Sequence, residues 1–407
     1  MHVGMSTGFA NHGQIDSGRF IREEMTQILY GDELGYESIF TTEHHFSDYS
    51  IAPNPLQYLS WLAPQTRMRL GTSVVVVPWH DPVRVAEEIA VLDQLSGGRA
   101  IIGFGRGLGR MEYEGFGVDQ GAAREIFDEA VPAILRAFET GYIEAEGKHV
   151  NIPRRELKPG PLRSLLGRSF IGAGTDASMM AGARMGLGRL YLGQPNVGAA
   201  AQAAREEAKA KNGGKEAFSP FAPAEQSEAK KAPMPLPNGT YAPGGPWDQA
   251  WAENFPDVPP TAPIVLNMVV IDESRDRAEE RARFYAERNF QWVAKNYSIT
   301  ESFENLKGYE QYKYLNMTQE QVDEAAKHAY TSTIFGTPQD VLEQMEQSLI
   351  DLRPQAFAPT LWLGGMPHQE AMAAVKMFAD KCMPEVKSWK GGEWTIDNVP
   401  SGLSKAA

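Results

Sequence analysis

The chain alternates between short runs of strand character and longer stretches with the apolar spacing of amphipathic helices. Strand-like runs occupy His2–Phe9, Glu37–Thr42, Met68–Val77, Ala100–Phe104, Ser169–Gly172, Arg189–Leu192, Ile264–Ile271 and Phe357–Trp362. Helical patterns occupy Arg19–Leu34, Pro55–Leu62, Pro82–Leu95, Arg124–Phe138, Asp176–Met185, Arg275–Lys295, Pro338–Leu352 and His368–Cys382. Strand–helix alternation indicates βαβ units on a parallel sheet. Eight alternations predict a closed (β/α)8 TIM barrel, an α/β fold.

Two segments interrupt this rhythm. Residues 212–263, before the seventh strand, are rich in proline. No regular element is expected at that proline density, so we predict a large surface insertion that is a lid, an oligomer arm or disordered. Residues 299–330 are expected to form a helical insertion. The aromatic-rich segment Phe290–Tyr314 is a candidate for the lid or the substrate wall, with an ordinary helical outer layer as the alternative. We therefore expect one barrel domain over residues 1–390 and a peripheral tail over residues 391–407.

Charge and cysteine content narrow the function classes. Lysine and arginine total 39 against 52 aspartate and glutamate residues, a formal net charge of −13. This balance argues against binding to nucleic acid or to an anionic membrane, yet it permits a local basic pocket for one phosphate. The single cysteine, Cys382, excludes an internal disulfide and a cysteine-based metal cluster. Because the N-terminal segment has no basic leader and no long apolar run, we expect a cytoplasmic protein.

A polar cluster follows the second predicted strand, in the segment Thr41-Thr42-Glu43-His44-His45-Phe46. Chemistry in such barrels belongs at the C-terminal ends of the strands, where these residues fall. Neighbouring strand residues point to opposite faces, which argues against chelation by His44 and His45, and no metal site is predicted. General acid–base work by one histidine, oriented by the other or by Glu43, fits better. A pair of capping or buried polar residues is the alternative.

Two glycine-containing turns point to a phosphate site. The fourth strand leads into Gly103-Phe104-Gly105-Arg106-Gly107-Leu108-Gly109-Arg110, which lets the backbone approach a ligand but does not match the dinucleotide fingerprint. The fifth strand ends in Gly172-Ala173-Gly174-Thr175-Asp176-Ala177-Ser178 before a helix, where free N–H groups can hold an anion. A simple N-cap at Thr175 or Asp176 is an equally good interpretation of the second turn alone. Together the turns favour a shared phosphate bound by Arg106.

With these residues in view, the chain resembles the bacterial luciferase-like family of flavin-dependent monooxygenases. The resemblance rests on Gly35-Tyr36 through Phe46, Gly71-Thr72 through Pro78, His80-Asp81-Pro82-Val83-Arg84, Leu92 through Arg99, Gly103 through Leu108, and Phe116-Gly117-Val118-Asp119. It covers residues 1–190 strongly and 264–385 more loosely. Each motif is weak alone, whereas the set is specific.

The resemblance implies a barrel that binds reduced FMN (FMNH2) delivered by a separate NAD(P)H:flavin reductase. In that family the flavin takes up O2 at C4a, and the peroxide or hydroperoxide oxygenates a small organic substrate. By position, His44 resembles the catalytic histidine, with His45 and Glu43 beside it. The implied cofactor-binding residues are Thr72, Ser73 and Val74 behind the isoalloxazine ring, and Arg106, Gly107, Leu108, Gly174, Thr175 and Ser178 around the phosphate. A homodimer is also implied.

The chain departs from the family at two positions, and two further hypotheses stay open. Gly105 stands where luciferase α chains carry a reactive cysteine, and Gly174 stands where they carry a glutamate. Oxygenation is therefore expected, but aldehyde-driven light emission is not. An F420-dependent hydride-transfer enzyme would share the barrel and similar glycines. A non-catalytic flavin-binding subunit is the third hypothesis, and the presence of His44 and Arg106 counts against it.

Overall fold

The predicted strands pair into a parallel sheet that curls on itself. A computed structural model describes residues 1–172, 176–192, 246–300, 317–349 and 352–397. Its strands are β1 His2–Val3, β2 Met5–Thr7, β3 Ser38–Thr41, β4 Arg69–Thr72, β5 Val75–Val76, β6 Ala100–Gly105, β7 Tyr142–Glu146, β8 Asn151–Glu156, β9 Ser169–Gly172, β10 Gly188–Leu192, β11 Ile264–Ile271, β12 Ile334–Gly336 and β13 Ala356–Thr360.

Helices flank this sheet, and those of the described ranges are numbered in chain order. They are α1 Ser17–Glu33, α2 Pro55–Leu62, α3 Pro82–Ser96, α4 Arg110–Phe116, α5 Ala123–Thr140, α6 Asp176–Arg184, α7 Pro246–Asn254, α8 Arg275–Asn296, α9 Gln319–His328, α10 Pro338–Leu349, α11 His368–Lys381 and α12 Met383–Ser388. Local sequence sets several helix starts. For example, Asp81 accepts the N–H groups of Val83 and Arg84 ahead of Pro82, as the capping pattern predicts.

The sheet closes through its first two strands. Only Gly4 separates β1 from β2, and β1 pairs with β13 whereas β2 pairs with β3. Between these ends the strands follow the order β1-β13-β11-β10-β9-β6-β4-β3-β2. These are nine strands, or the eight strands of a barrel when β1 and β2 are counted as one. The predicted (β/α)8 barrel is confirmed. Strand β12 pairs with the end of β11, outside this path.

Apolar side chains fill the barrel and the layer between sheet and helices. The interior cluster contains Phe40, Ile101, Phe170, Leu190, Ile264, Leu266, Ala356 and Ala358. Every residue of β6 is buried, as expected for a parallel strand covered on both faces. No helix of the described ranges has the length and apolarity needed to cross a membrane.

The proline-rich insertion contains a helix, although no regular element was expected there from the sequence. Helix α7 begins at Pro246, because a proline at the first helical position has no N–H to lose. Its tryptophans Trp247 and Trp251 are fully buried, and the Arg189 guanidinium lies 4.4 Å from the centre of the Trp247 ring. The expectation of no regular element is therefore wrong for this stretch. Residues 212–245, which carry most of the expected lid, lie outside the described residues.

The structure agrees only in part with the expected helical insertion and with the expected peripheral tail. Helix α9 lies within the expected helical insertion 299–330, of which residues 301–316 fall outside the described ranges. The start of the tail is not peripheral: Ile396 is fully buried, and Trp394 stacks on His2 with ring centres 4.1 Å apart. Apolar side chains at these two positions explain why residues 391–397 pack onto the barrel.

Candidate active site

A cleft opens at the C-terminal ends of the strands, where the barrel architecture places chemistry. A cavity of about 610 Å³ is lined by residues after β2, β3, β11 and β13, and a narrower groove of about 170 Å³ is lined by residues after β6 and β9. The cavity and the groove share five of their lining residues, namely Thr42, His44, Ser73, Leu192 and Tyr297. The cavity and the groove therefore meet beside His44.

His44 is the predicted catalytic residue that faces both spaces. Its Nδ1 lies 3.0 Å from Oε1 of Glu112, a fully buried carboxylate on α4. The same oxygen accepts the backbone N–H of His45. Sequence reasoning missed Glu112, which lies 68 residues from His44 along the chain.

The other two predicted catalytic residues form a second network. Oε1 of Glu43 lies 3.1 Å from Nε2 of His45 and 2.5 Å from Nε2 of His80, and Oε2 accepts the backbone N–H of Val76. Burial raises the pKa of Glu43, but these hydrogen bonds outweigh it and the net pKa is lowered. Burial lowers the pKa of His80, whereas the bond to Glu43 raises it above its usual value overall.

This network bears on the metal prediction. Glu43 and His45 are two residues apart, so both lie on one face of the chain, and His80 approaches from the loop after β5. Their three potential ligand atoms lie within 4.8 Å of one another. One carboxylate and two imidazoles are a set that a divalent ion can use. The absence of a metal site therefore stays a prediction.

Two arginines converge on Ser178 at the groove. Nη2 of Arg106 lies 3.3 Å and Nη1 of Arg124 lies 3.1 Å from the Ser178 hydroxyl. Arg106 and Ser178 were predicted as phosphate ligands, whereas Arg124, at the start of α5, was not. Paired guanidinium groups beside a hydroxyl are suited to an anion such as phosphate.

The remaining predicted cofactor residues divide into three groups. Ser73, Val74, Gly107 and Leu108 line the groove, and the Ser73–Val74 peptide is cis. Thr72 lines neither space; its hydroxyl bonds to the N–H and C=O of Gly103 and ties β4 to β6. Gly174 and Thr175 lie outside the described residues.

The side-chain volume of Val74 explains one departure from the family. A Cβ on Gly105 would lie 2.3 Å from Cγ2 of Val74, so a cysteine at this position would collide with it. The glycine is therefore required by the packing of the groove.

Sequence comparisons relate the chain to flavin enzymes. The pattern of the luciferase-like monooxygenase family matches residues 1–224. The oxygenase component of a flavin-dependent trigonelline monooxygenase from Acinetobacter baylyi is 38% identical over 143 residues, 34% of this chain and 39% of that protein. An alkanal monooxygenase alpha chain from Photorhabdus luminescens is 31% identical over 129 residues, 31% of this chain and 36% of that protein. The matched part thus spans less than two fifths of either relative.

Solved structures share the fold over nearly the whole chain. Monooxygenase RslO1 from Streptomyces bottropensis superposes with a TM-score of 0.69 at 20% identity, covering 95% of this chain and 100% of that one. The oxygenating constituent of 3,6-diketocamphane monooxygenase from Pseudomonas putida, solved with FMN, gives 0.60 at 14% identity, covering 95% and 98%. An F420-dependent tetrahydromethanopterin reductase from Methanopyrus kandleri gives 0.56 at 16%, covering 94% and 99%. With more than half of its residues matched by the family pattern, the chain belongs to the luciferase-like monooxygenase family.

Proposed function

We propose that this protein is the oxygenase component of a two-component monooxygenase that uses reduced FMN and O2 to oxygenate a small organic substrate. The position of His44 carries the proposal, because this residue lines both the groove beside Arg106 and Arg124 and the larger cavity. A phosphate-bearing cofactor in the groove and a substrate in the cavity would therefore meet at one histidine.

The groove suits the FMN phosphate on chemical grounds. Arg106 and Arg124 supply two cationic forks, and Ser178 supplies a hydroxyl between them. Gly107 has φ +77°, and a Cβ there would lie 2.6 Å from the Trp79 ring, so the turn that carries Arg106 depends on glycine. When bound, FMN would supply the oxygen chemistry, which no amino-acid side chain provides.

The protein's own part is to move a proton and to exclude water. Because Nδ1 of His44 faces Glu112, Nε2 is the atom that can exchange a proton in the cleft. The buried Glu112 carboxylate orients the ring. Leu266 and Leu363 give part of the cavity wall an apolar surface, which disfavours water beside the reacting groups.

Two partners complete the proposal. A separate NAD(P)H:flavin reductase would deliver the cofactor, since one relative is itself named an oxygenase component. A second copy of the chain would cover three exposed apolar side chains, Trp61 on α2 and Val91 and Leu95 on α3.

The decisive experiment is an anaerobic titration with FMNH2, followed by rapid mixing with O2. We expect saturable binding, weaker binding of reduced riboflavin (which lacks the phosphate), and slower flavin reoxidation than in free solution. Binding of reduced F420 instead of FMNH2 would replace the proposal with F420-dependent hydride transfer; one fold relative is named an F420-dependent reductase. FMNH2 binding with no oxygenated product over a broad substrate panel would indicate a non-catalytic subunit.

A further inference from the structure

One wall of the large cavity is built from hydrogen-bond acceptors. Glu23, Glu24 and Gln27 of helix α1 line it, together with His368 at the start of α11. Glu24 and Gln27 are only 3% and 4% exposed, so both side chains are buried where the wall meets the cavity. His44 lines the same cavity, which places this wall and the proposed proton-transfer residue around one ligand space.

Glu24 has hydrogen bonds but no counter-ion. Its carboxylate accepts the Thr7 hydroxyl at 2.5 Å and the indole N–H of Trp362 at 2.9 Å, and both donors are neutral. Within the described part of the chain, no lysine, arginine or histidine forms an ion pair with it. Burial raises the pKa of Glu24 to about 7, although the two hydrogen bonds lower it. When a buried carboxylate has only neutral hydrogen-bond donors, a cation that binds beside it stabilises its ionised form.

Gln27 supplies a second acceptor beside Glu24. Its Nε2 lies 3.0 Å from Nδ1 of His368, whereas its Oε1 is buried with no hydrogen-bond partner in the described structure. A buried carbonyl oxygen left without a donor is unfavourable, so its presence on a cavity wall indicates a donor supplied by a ligand. The Glu24 carboxylate has no positively charged partner, and Oε1 of Gln27 has no hydrogen-bond donor. One ligand group that carries both a positive charge and an N–H could serve both residues.

We propose that Glu24 and Gln27 form a subsite for a positively charged N–H group of the substrate, either a protonated amine or an N–H heterocyclic cation. This inference rests on the proposed function, because it assigns a substrate class to the cavity that His44 serves. The ammonium or iminium N–H donates to Glu24 and to Oε1 of Gln27, and its charge compensates the carboxylate. Arg19 does not fill this role, since it pairs with Glu23.

The test compares three probes of similar shape, benzylamine, benzyl alcohol and benzoate, by calorimetry at pH 8 on the FMN-loaded and the FMN-free protein. We expect benzylamine to bind about 10- to 100-fold more tightly than benzyl alcohol, the range of one hydrogen bond to a charged group, and benzoate not to bind. Glu24→Gln should bring benzylamine within about twofold of benzyl alcohol. The matched control Glu33→Gln, at the exposed end of α1 and away from the cavity, should keep the preference.

A second measurement needs no variant. At pH 7 benzylamine should displace the proton that Glu24 holds, so binding heats in two buffers of different ionisation enthalpy should reveal proton release. Besides Glu24, the ionisable groups that line the cavity are Arg19, Glu23, His44, Tyr49, Tyr297 and His368, and Tyr58 on α2 lies near Glu24. Any proton release on benzylamine binding that persists in Glu24→Gln measures the contribution of these other groups.

The outcomes separate the two proposals. Equal binding of amine and alcohol by the wild-type protein, or a preference that folded Glu24→Gln retains, would overturn the cation subsite, and FMNH2 binding would be unaffected. Loss of FMNH2 binding with the amine preference intact would overturn the monooxygenase proposal and leave the subsite standing. The thermal melting temperature of each variant establishes that it is folded.

Discussion

His44 and Glu112 form a hydrogen-bonded pair, with 3.0 Å between Nδ1 of the imidazole and Oε1 of the carboxylate. The second carboxylate oxygen, Oε2, is buried without a hydrogen-bond partner among the described residues. A Cβ on Gly109 would lie 2.0 Å from that oxygen, so the glycine allows the carboxylate to approach the backbone. The pair therefore holds one nitrogen of His44 and leaves the other for chemistry.

Replacing either member should reduce oxygenation more than flavin binding. We expect His44→Ala to keep FMN affinity and to lower the oxygenation rate by roughly 10²-fold or more, the scale of general acid–base catalysis. Glu112→Gln should lower the rate by at least about tenfold, because the carboxylate that orients the imidazole is lost. Product formed per flavin oxidised is the measurement, and Glu114→Gln on the same helix is the control. Normal product formation by His44→Ala would remove this residue from the mechanism.

The two groove arginines should act through the phosphate. Arg106→Ala and Arg124→Ala should each weaken FMN binding by roughly 1–3 kcal/mol, the cost of a lost charge-assisted hydrogen bond. Fluorescence titration with riboflavin provides the control ligand, whose affinity should stay within about twofold because it has no phosphate to lose. Arg110→Ala is the control variant, since this arginine pairs with Glu114 at the surface. An equal loss for riboflavin would show that the arginines stabilise the groove itself.

The barrel strands were predictable because short β-rich runs alternate regularly with helical patterns, and this alternation can be recognised without knowing which distant residues pack together. The hairpin formed by β7 and β8 was missed, since β8 is largely exposed and Ile143 is the one buried residue of β7. Strand β12 has three residues, too few to show a period. The sequence predicts one strand over Met68–Val77, but the structure divides this segment into β4 and β5, separated by Ser73 and Val74.

The site was predictable only where one short segment carries the chemistry. The run Glu43-His44-His45 and the turn at Arg106 are readable in the sequence because their residues are adjacent. Glu112 and Arg124 were missed because each reaches the site from a helix, through contacts that only the closed barrel creates. His80 directly precedes the cap residues Asp81 and Pro82 of α3, and nothing in this local sequence points to its contact with Glu43.

A buried ion pair should be one of the largest single contributors to stability. Arg168 and Asp93 are both fully buried and form a two-pronged pair at 2.5 and 3.0 Å, which ties the start of β9 to α3. Asp93→Asn leaves the guanidinium without its counter-charge, so we expect a loss of about 3–5 kcal/mol in the free energy of unfolding. Urea denaturation measures it. Glu87→Gln, in the exposed pair with Arg84, should cost less than about 1 kcal/mol, and equal effects would contradict the prediction.

The apolar surface of α2 and α3 should hold two copies together. Trp61, Val91 and Leu95 are 49%, 39% and 55% exposed on these neighbouring helices. Leu95→Glu would bury a charge in the proposed interface, so sedimentation should show a shift toward monomer. Phe284→Glu is the control, because Phe284 is 57% exposed on a different helix, α8. A wild-type monomer, or a Leu95→Glu protein that stays dimeric, would rule out this surface.

Glu24 should make the protein more stable at mildly acidic pH. Its pKa is about 7 in the folded chain, mainly through burial, against an ordinary value of 4.5. Between these values the folded chain holds a proton that the unfolded chain has released, so the free energy of unfolding falls as the pH rises from about 4.5 to about 7 and then levels off. The full difference is about 3 kcal/mol. Glu24→Gln lacks this titration, so urea unfolding at pH 5 and pH 8 should show the wild-type protein losing more stability than the variant. Parallel losses in the two proteins would mean that Glu24 is ionised throughout, and therefore that its charge is already compensated.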